Sequence, residues 1–295
     1  MQISPLGPDQ FGVTVTAFDC GHVDRAAGAA ILDLLMTYKV VVLREQRVTA
    51  AQYERFMSLL GEPVAHVLHQ YCVPRHRNIL RVSNYVRRDG RPAGVREGGA
   101  YWHTDMSYLA ENTVATSLYS LRVPSHGTSE THFVDCATAY RRLTGSTMLA
   151  SLGCEGATLD VDAAIVVHRF GNRKTLKHQD AHTQALNDGQ RATLREILHP
   201  LVLSHPKTRE KSLYALAGTS VRIAGWPEHT SINMLDALEA LLFEHAPVYR
   251  HVYDVGDLVI WDNLSTLHSG VAAEASHSLS DCRMLYRMNV NYLRS

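Results

Sequence analysis

The stretch GDLVIWDNLSTLH, residues 256–268, places a short apolar run between a glycine and a polar turn and ends on a histidine. The run at 258–261 has the length and composition of a buried strand. Polar turn residues follow it directly, so the sequence predicts that His268 lies at the end of a strand–turn unit. Spacing alone leaves two interpretations of His268: a ligand in a site built from strands, or a polar residue that closes the turn.

Short apolar segments of the same kind recur from about residue 79 onward, separated by glycine and proline turns. Many short strands between such turns are typical of a β-sandwich or a β-barrel. The segments are NILRVSNYV (78–86), TSLYSLRVP (116–124), ETHFVD (130–135), PLVLSHP (200–206), KSLYAL (211–216) and RMLYRMNVN (283–291).

The first third of the chain alternates strands with helices. FGVTVTAFD (11–19) has the alternation of a half-buried strand, and VVVLREQ (40–46) has the composition of a buried one. Helices are predicted after the N-caps Asp24 and Thr49, and a later amphipathic helix is predicted over 231–246 with Ser231 as its cap.

No linker, repeat or low-complexity stretch interrupts the 295 residues, so we expect one domain spanning 1–295. Residues 137–143 and 188–198 have the pattern of helix segments. Between them lies a polar, histidine-rich stretch without a clear period, and long irregular insertions in compact domains are more often functional than idle. The sequence therefore predicts a lid or insertion at about 155–200.

Composition excludes several classes of function. Lys plus Arg and Asp plus Glu both number 29, and this zero net charge argues against non-specific nucleic-acid binding. The apolar runs are too short to span a bilayer, and the first residues lack the basic and apolar blocks of a signal peptide. The five cysteines are scattered and form no C-x-x-C pair. These features predict a cytoplasmic protein with reduced thiols, with no membrane or nucleic-acid partner; a homo-oligomer stays open.

A second informative stretch, YWHTDMSY, carries His103 and Asp105 two residues apart. On a strand this spacing would aim both side chains at one point, and a third ligand would come from a later strand of the same barrel. Two histidines and one carboxylate on one face of an octahedron are the ligands of non-haem Fe(II) oxygenases. His268 is the candidate for the third ligand.

The chain holds two other His-x-Asp triplets. In the first, His22 precedes Asp24, which the helix-cap prediction already explains. In the second, His178 and Asp180 lie in the polar stretch together with His182. The spacing of these histidines is that of a helical zinc pair, but no glutamate lies between them as in H-E-x-x-H, which favours a solvated loop over a zinc site, with a substrate-facing lid as the functional alternative.

In order along the chain, YWHTDMSY, GTSETHFVD, GDLVIWDNLSTLH and CRMLYRMNV resemble the TauD/TfdA family of iron(II)- and 2-oxoglutarate-dependent dioxygenases. KVVVLREQRVTAAQYERFMSLLGEP and SNYVRRDGRPAG extend the resemblance upstream, so it covers nearly the whole chain and is weakest across 141–200. The resemblance implies an α+β fold, with a double-stranded β-helix (jelly-roll) core, flanking helices and the lid insertion. It also implies Fe(II) as cofactor, with 2-oxoglutarate and O₂ as cosubstrates.

The resemblance further implies roles for individual residues. The family motif W-H-x-D matches 102–105 and the motif W-D-N-x-x-x-x-H matches 261–268, which makes His103, Asp105 and His268 the iron ligands. These residues would leave three iron positions open, two for the keto acid and one for O₂. Because Asp105 keeps the third protein ligand a carboxylate, it argues against a halogenase, whose members carry a small residue there.

Three more residues match positions that hold the keto acid or the substrate. Thr131, within SETHF, matches the threonine that binds the distal carboxylate of 2-oxoglutarate, and Arg283 matches the arginine that pairs with it. Arginine and threonine suit this task, since a guanidinium offers a planar fork and a hydroxyl adds a donor. Arg287 matches a second arginine nearer the substrate. Further candidates for the substrate pocket are Asn84, His66, Tyr101 and Ser107.

The implied reaction couples decarboxylation of 2-oxoglutarate, to succinate and CO₂, with oxidation of a C–H bond, usually to an alcohol. Arg287 and family habit suggest a small polar or anionic substrate. One alternative keeps the same cofactors but yields desaturation, cyclisation or an isonitrile. Another is a non-catalytic metal-binding jelly roll that acts as a sensor, which the presence of Arg283 and Thr131 disfavours.

Overall fold

The computed structural model describes residues 1–7, 9, 11–96, 99–109, 114–125, 129–146, 148–149, 153–154, 157–171, 173–175 and 195–293. The helices are α1 (Arg25–Tyr38), α2 (Ala50–Leu60), α3 (Cys136–Thr144) and α4 (Glu228–His245). The strands are β1 (Gln2–Pro5), β2 (Val13–Thr16), β3 (Val40–Leu43), β4 (Glu62–Val64), β5 (Cys72–Val73), β6 (His76–Ser83), β7 (Ala115–Arg122), β8 (Glu130–Asp135), β9 (Gly153–Cys154), β10 (Ala157–Thr158), β11 (Ile165–His168), β12 (Ile197–Pro200), β13 (Val202–Ser204), β14 (Lys211–Leu213), β15 (Ser220–Ile223), β16 (Val248–Val252), β17 (Leu258–Asp262), β18 (Thr266–Gly270) and β19 (Met284–Asn291).

The larger sheet has the strand order β1-β2-β3-β17-β7-β19-β6-β5, and β4 pairs with β19 beside this path. Only β2 and β3 are parallel; the other pairs described in this sheet are antiparallel. The apolar run of β17 lies at the centre because β3 and β7 cover both of its edges. Neighbours in this sheet are therefore often distant in sequence.

A smaller sheet, with the order β16-β8-β18, faces the larger one. Phe133 on β8 packs against Trp261 on β17, with ring centroids 5.3 Å apart. Both belong to a buried cluster between the sheets that also contains Leu118, Val259 and Leu285. The sandwich of short strands that the sequence predicts is thus present.

The N-terminal helices cover the outer face of the larger sheet. On β3, Val41 and Leu43 pack in the cluster formed with the helices, whereas Val40 and Val42 pack in the cluster between the sheets. Burial on both faces explains why this strand is an unbroken apolar run. The caps are as predicted: the carboxylate of Asp24 accepts a hydrogen bond from the backbone of Ala27, and Thr49 forms a capping box with Gln52.

A third layer contains the sheet β12-β11-β15, with β11 in the middle. Residues of this sheet share a buried apolar cluster with α3 and α4. Two expectations change here. Residues 197–198, predicted as the end of a helix, belong to strand β12. Ser231 does not cap α4, because that helix begins three residues earlier, at Glu228, and Ser231 is buried inside it.

The structure describes only part of the range predicted as a lid. Part of the predicted range forms β10, β11 and β12, but His178, Asp180 and His182 lie outside the described residues. Among the residues that are described, no helix combines the length and apolar character needed to cross a membrane.

Candidate metal and cosubstrate site

His103 and His268 are brought together by backbone pairing. The amide of each residue donates to the carbonyl of the other at 2.9 Å, and the two ring centroids lie 4.2 Å apart. His268 is the central residue of β18, where it pairs with Phe133 on β8. His268 therefore lies on a later strand, as expected of a third ligand, and not at the end of the strand–turn unit, because the turn after β17 leads into β18.

Asp105 reaches the two histidines by a route that differs from the predicted strand. After the single bridge at His103 the chain enters a turn, and Met106 has a left-handed φ of 55°. This turn directs the Asp105 carboxylate back, so that its oxygens lie 3.5 Å from Nε2 of His103 and 3.5 Å from Nε2 of His268. One ligand atom from each of the three residues lies within 4.8 Å of the others.

The protonation and bonding of these side chains fit a metal ion. Nδ1 of His103 lies 2.7 Å from the Tyr101 carbonyl, which orients the ring and leaves Nε2 toward Asp105. Burial lowers the pKa of His268 well below its usual value, so its imidazole is neutral. Oδ2 of Asp105 is buried and accepts no hydrogen bond from the described residues. Two imidazole nitrogens and an unsatisfied carboxylate oxygen are the kind of donor set that holds a divalent iron.

The charge of Asp105 is balanced by Arg287 on β19. Nη2 of Arg287 lies 2.7 Å from Oδ1 of Asp105. Burial by itself would raise the pKa of Asp105, but Arg287 and the two histidines hold that pKa well below its ordinary value. Arg287 is paired across the sheet with Leu80 on β6 and Leu118 on β7, so apolar side chains flank the ion pair.

Two glycines allow the chain to pass close to His103. A Cβ added to Gly99 would lie 2.6 Å from Cε1 of His103, and one added to Gly218 would lie 2.9 Å from the Cβ of His103. Both glycines have left-handed backbone angles, with φ of 84° and 73°. The site therefore depends on backbone segments that come against the imidazole from two sides.

Arg283 and Thr131 line the same cavity as the three candidate ligands. Arg283 precedes β19 and donates from Nη1 to the carbonyl of Val271 and from Nη2 to the carbonyl of Arg96, each at 2.7 Å. Its Nε is buried and has no hydrogen-bond partner among the described residues. The hydroxyl of Thr131 lies 3.2 Å from that of Tyr253. Arg283 thus has one donor that no described residue uses, and the Thr131 side chain lines the same cavity.

The remaining candidates divide into two pairs. His66 and Tyr101 line the cavity, and Tyr101 packs on His103 with ring centroids 4.9 Å apart. Asn84 and Ser107 are not among the described residues that line it, so the structure does not support a direct substrate contact for either. The Asn84 amide group is occupied by backbone groups of Arg283 and Glu274, and Ser107 is bonded inside the protein.

The cavity has a volume of about 90 Å³ and opens to solvent. Sequence reasoning did not identify several of its apolar walls, among them Tyr108 and Phe170, whose rings meet edge to face at 4.8 Å. Tyr108 lies inside the motif YWHTDMSY, so its closeness to the candidate ligands in sequence could have indicated its place in the cavity. Phe170 follows β11 in a segment with no motif, and nothing local in the sequence indicates its position.

Comparison with known proteins identifies the family of the chain. The family model described as "Taurine catabolism dioxygenase TauD, TfdA family" matches residues 2–289. A pentalenolactone F synthase of Streptomyces arenae is 30% identical over 275 residues, covering 90% of this chain and 87% of that protein. An alpha-ketoglutarate-dependent sulfate ester dioxygenase of Pseudomonas putida is 28% identical over 251 residues, covering 84% of this chain and 77% of that protein.

Solved structures share the fold. A taurine dioxygenase from Burkholderia xenovorans superposes with a TM-score of 0.71 at 23% identity, covering 98% of this chain and 90% of that one. Such neighbours confirm the jelly-roll core that the facing sheets form. The chain belongs to the TauD/TfdA family and is a 2-oxoglutarate-dependent dioxygenase that uses Fe(II) and O₂.

Proposed function

We propose that this chain hydroxylates a C–H bond of a small molecule, with His103, Asp105 and His268 as the iron ligands. The observation that carries the proposal is the convergence of these three ligand atoms within 4.8 Å, on the wall of a cavity that also contains Arg283 and Thr131. When bound, Fe(II) supplies the redox chemistry that couples decarboxylation of 2-oxoglutarate to substrate oxidation.

The residues around the metal position have separate tasks in this proposal. Arg283 and the hydroxyl of Thr131 bind the distal carboxylate of 2-oxoglutarate, and the unsatisfied Nε of Arg283 gives the clamp a further donor. Trp261 packs on His268, with ring centroids 4.7 Å apart, and together with Leu118 lines the cavity near the ligands. These apolar groups exclude bulk water from the reacting atoms.

The cavity wall favours a substrate with an apolar carbon skeleton. Leu68 and Leu80 form a buried cluster with Val95 and Phe170, and all four line the cavity. Arg287, on which the expectation of an anionic substrate rests, is engaged by Asp105 at 2.7 Å. We therefore propose that the skeleton of the substrate packs on this wall, and that any polar group it carries is bound elsewhere in the cavity.

The activities of the relatives are compatible with such a substrate. One relative is a pentalenolactone F synthase and another acts on sulfate esters. Product mass distinguishes the possible outcomes, because hydroxylation adds one oxygen whereas desaturation or ring closure removes two hydrogens.

The decisive experiment measures succinate formed from 2-oxoglutarate in the presence of Fe(II) and ascorbate. We expect His103→Ala and His268→Ala to abolish both iron binding and succinate formation. His22→Ala, from a rival His-x-Asp triplet on an exposed loop, is the matched control and should keep both. Succinate formation that persists in His268→Ala would refute the assignment, and an iron-binding wild type that forms no succinate would favour the sensor.

We also propose that the protein acts in the reducing environment of the cytoplasm. Cys20, Cys72, Cys136 and Cys282 are free thiols. Their state agrees with a compartment in which disulfides do not form.

A further inference from the structure

The turn that carries Asp105 contains a strained residue. Met106, with a φ of 55°, is in the left-handed region without being a glycine. Such a conformation is strained for a residue with a side chain and persists only where the surrounding structure holds it. Met106 lies between Asp105 and Ser107, so whatever holds Ser107 also determines the direction of the Asp105 carboxylate.

Ser107 is held by three side chains from the third layer of the fold. Nε2 of His199, on β12, lies 2.7 Å from its carbonyl oxygen. Its hydroxyl lies 2.5 Å from Oγ1 of Thr219, which precedes β15, and 3.3 Å from Nδ1 of His168 on β11. Nδ1 of His168 also lies 3.2 Å from Oγ1 of Thr219. The contacts thus come from β12, from β11 and from the residue just before β15. We call these three side chains the anchor of Ser107.

The anchor is buried and uncharged. Ser107 and His168 are fully buried, and Thr219 is nearly so. Burial lowers the pKa of His168 to about 3 and also lowers the pKa of His199, so both imidazoles are neutral at physiological pH. A neutral His199 can reach the Ser107 carbonyl only as the tautomer that carries its proton on Nε2. Hydrogen bonds of this kind are strong in a low-dielectric interior, and their loss leaves a buried carbonyl unsatisfied.

Ring contacts also restrain the orientation of the two imidazoles. The ring of His199 meets those of His168 and Tyr214 edge to face, at 4.9 and 5.3 Å. Neither histidine is among the described residues that line the cavity, whereas Thr219 touches it. The histidines are therefore placed to act on Ser107 and not on a bound substrate.

We propose that His168, His199 and Thr219 are positioning residues, which hold Ser107 and the left-handed turn so that Asp105 faces the metal. The inference rests on the proposed function, because it takes Asp105 as an iron ligand. Groups that orient metal ligands typically change metal affinity by about 10–100-fold when they are removed. An effect of that size should follow from loss of the His199 hydrogen bond, although His199 does not contact the metal position.

Titration of the metal-free full-length protein with Co(II), followed by visible absorption, tests the proposal without a known substrate. We expect His199→Phe, which keeps a ring but loses the donor, to weaken Co(II) binding about 10–100-fold. His199→Gln, which restores a donor, should recover most of the affinity. Thr219→Val, which removes one hydroxyl at nearly constant shape, should weaken binding by a smaller factor and serves if His199→Phe does not fold.

His251→Phe is the matched control. His251 is a buried histidine on β16 that is hydrogen-bonded to Asp257 and Tyr249, so its replacement reports a general loss of stability. Co(II) affinity within about twofold of wild type in His199→Phe and Thr219→Val, or an equal loss in His251→Phe, overturns the positioning role.

Asp105→Ala separates this proposal from the one on which it rests. If Asp105→Ala retains Co(II) affinity, the proposed metal site itself fails. If Asp105→Ala loses it while the His199 and Thr219 variants do not, the ligand assignment stands and only the positioning role is rejected.

Discussion

Arg287 and Asp105 form an ion pair inside the cavity, with Nη2 2.7 Å from Oδ1, and the arginine is flanked across the sheet by Leu80 and Leu118. Arg287 therefore supplies Asp105 with a countercharge from within the protein. A metal at the His103–Asp105–His268 position would share the carboxylate with a guanidinium, which lowers the affinity for a second positive charge. The ion pair and the metal thus compete for the same negative charge.

This competition predicts the behaviour of Arg287→Met. Removing one partner of a buried pair costs about 3–5 kcal/mol, so the metal-free variant should unfold at a clearly lower temperature than wild type. Bound metal replaces the missing countercharge, so the increase in Tm on adding Mn(II) should be larger in the variant. Differential scanning fluorimetry measures both values, with Arg287→Lys as the charge-conserving control. Equal losses of Tm with and without Mn(II) would contradict the coupling.

A second prediction concerns the keto-acid clamp. Arg283→Gln should raise the 2-oxoglutarate concentration needed for half-maximal succinate formation at least tenfold, since a hydrogen bond to a charged group is worth about 1.5–3 kcal/mol. Thr131→Val should raise it by a smaller factor, because a hydroxyl supplies one neutral donor. Arg222→Gln, which breaks a partly exposed ion pair with Glu196, is the control. An unchanged requirement in Arg283→Gln would transfer the clamp to Arg287.

Local sequence patterns predict correctly those features that depend on neighbouring residues in the chain. The caps at Asp24 and Thr49 follow from short-range hydrogen bonds, and the double burial of the 40–43 run follows from its unbroken apolar character. The three candidate ligands were identified from motif order and family resemblance, because spacing alone could not show that His268 meets His103.

The rest depends on contacts that no local pattern encodes. The bridge between His103 and His268 joins segments that are far apart in the chain. Only His103 takes part in it, and Asp105 lies in the turn that follows. The predicted strand through Asp105 is therefore wrong, although the side chains do converge. Asp105 reaches the site through the left-handed Met106, a conformation that tertiary contacts of Ser107 impose. The sequence predicts Ser107 as a pocket residue, whereas in the structure its hydroxyl contacts Thr219 in the buried interior.

A third prediction separates backbone strain from displacement of a ligand. Gly218→Ala places a Cβ 2.9 Å from the Cβ of His103, whereas Gly90→Ala, at a similar left-handed φ of 79°, meets nothing within 4 Å. Both variants should lose about 1 kcal/mol of stability from the strained backbone. Only Gly218→Ala should also weaken Co(II) binding, by about tenfold or more, since His103 must move. Urea unfolding and Co(II) titration measure the two effects, and equal affinities in the two variants would show that His103 tolerates the added methyl group.

A fourth prediction follows from the neutral His168 in the anchor of Ser107. Its pKa is lowered to about 3 by burial first and then by His199 and Arg173, so the unfolded chain binds a proton at higher pH than the folded one. The contribution of neutral His168 to the free energy of unfolding is complete above about pH 6.5, the pKa of histidine in an unfolded chain. It is lost as pH falls toward 3, at up to about 1.4 kcal/mol per pH unit. Urea unfolding of the metal-free protein between pH 7 and 5 should show this slope. In His168→Asn the slope should be smaller by nearly that amount. An unchanged slope in His168→Asn would mean that His168 does not resist protonation in the folded protein.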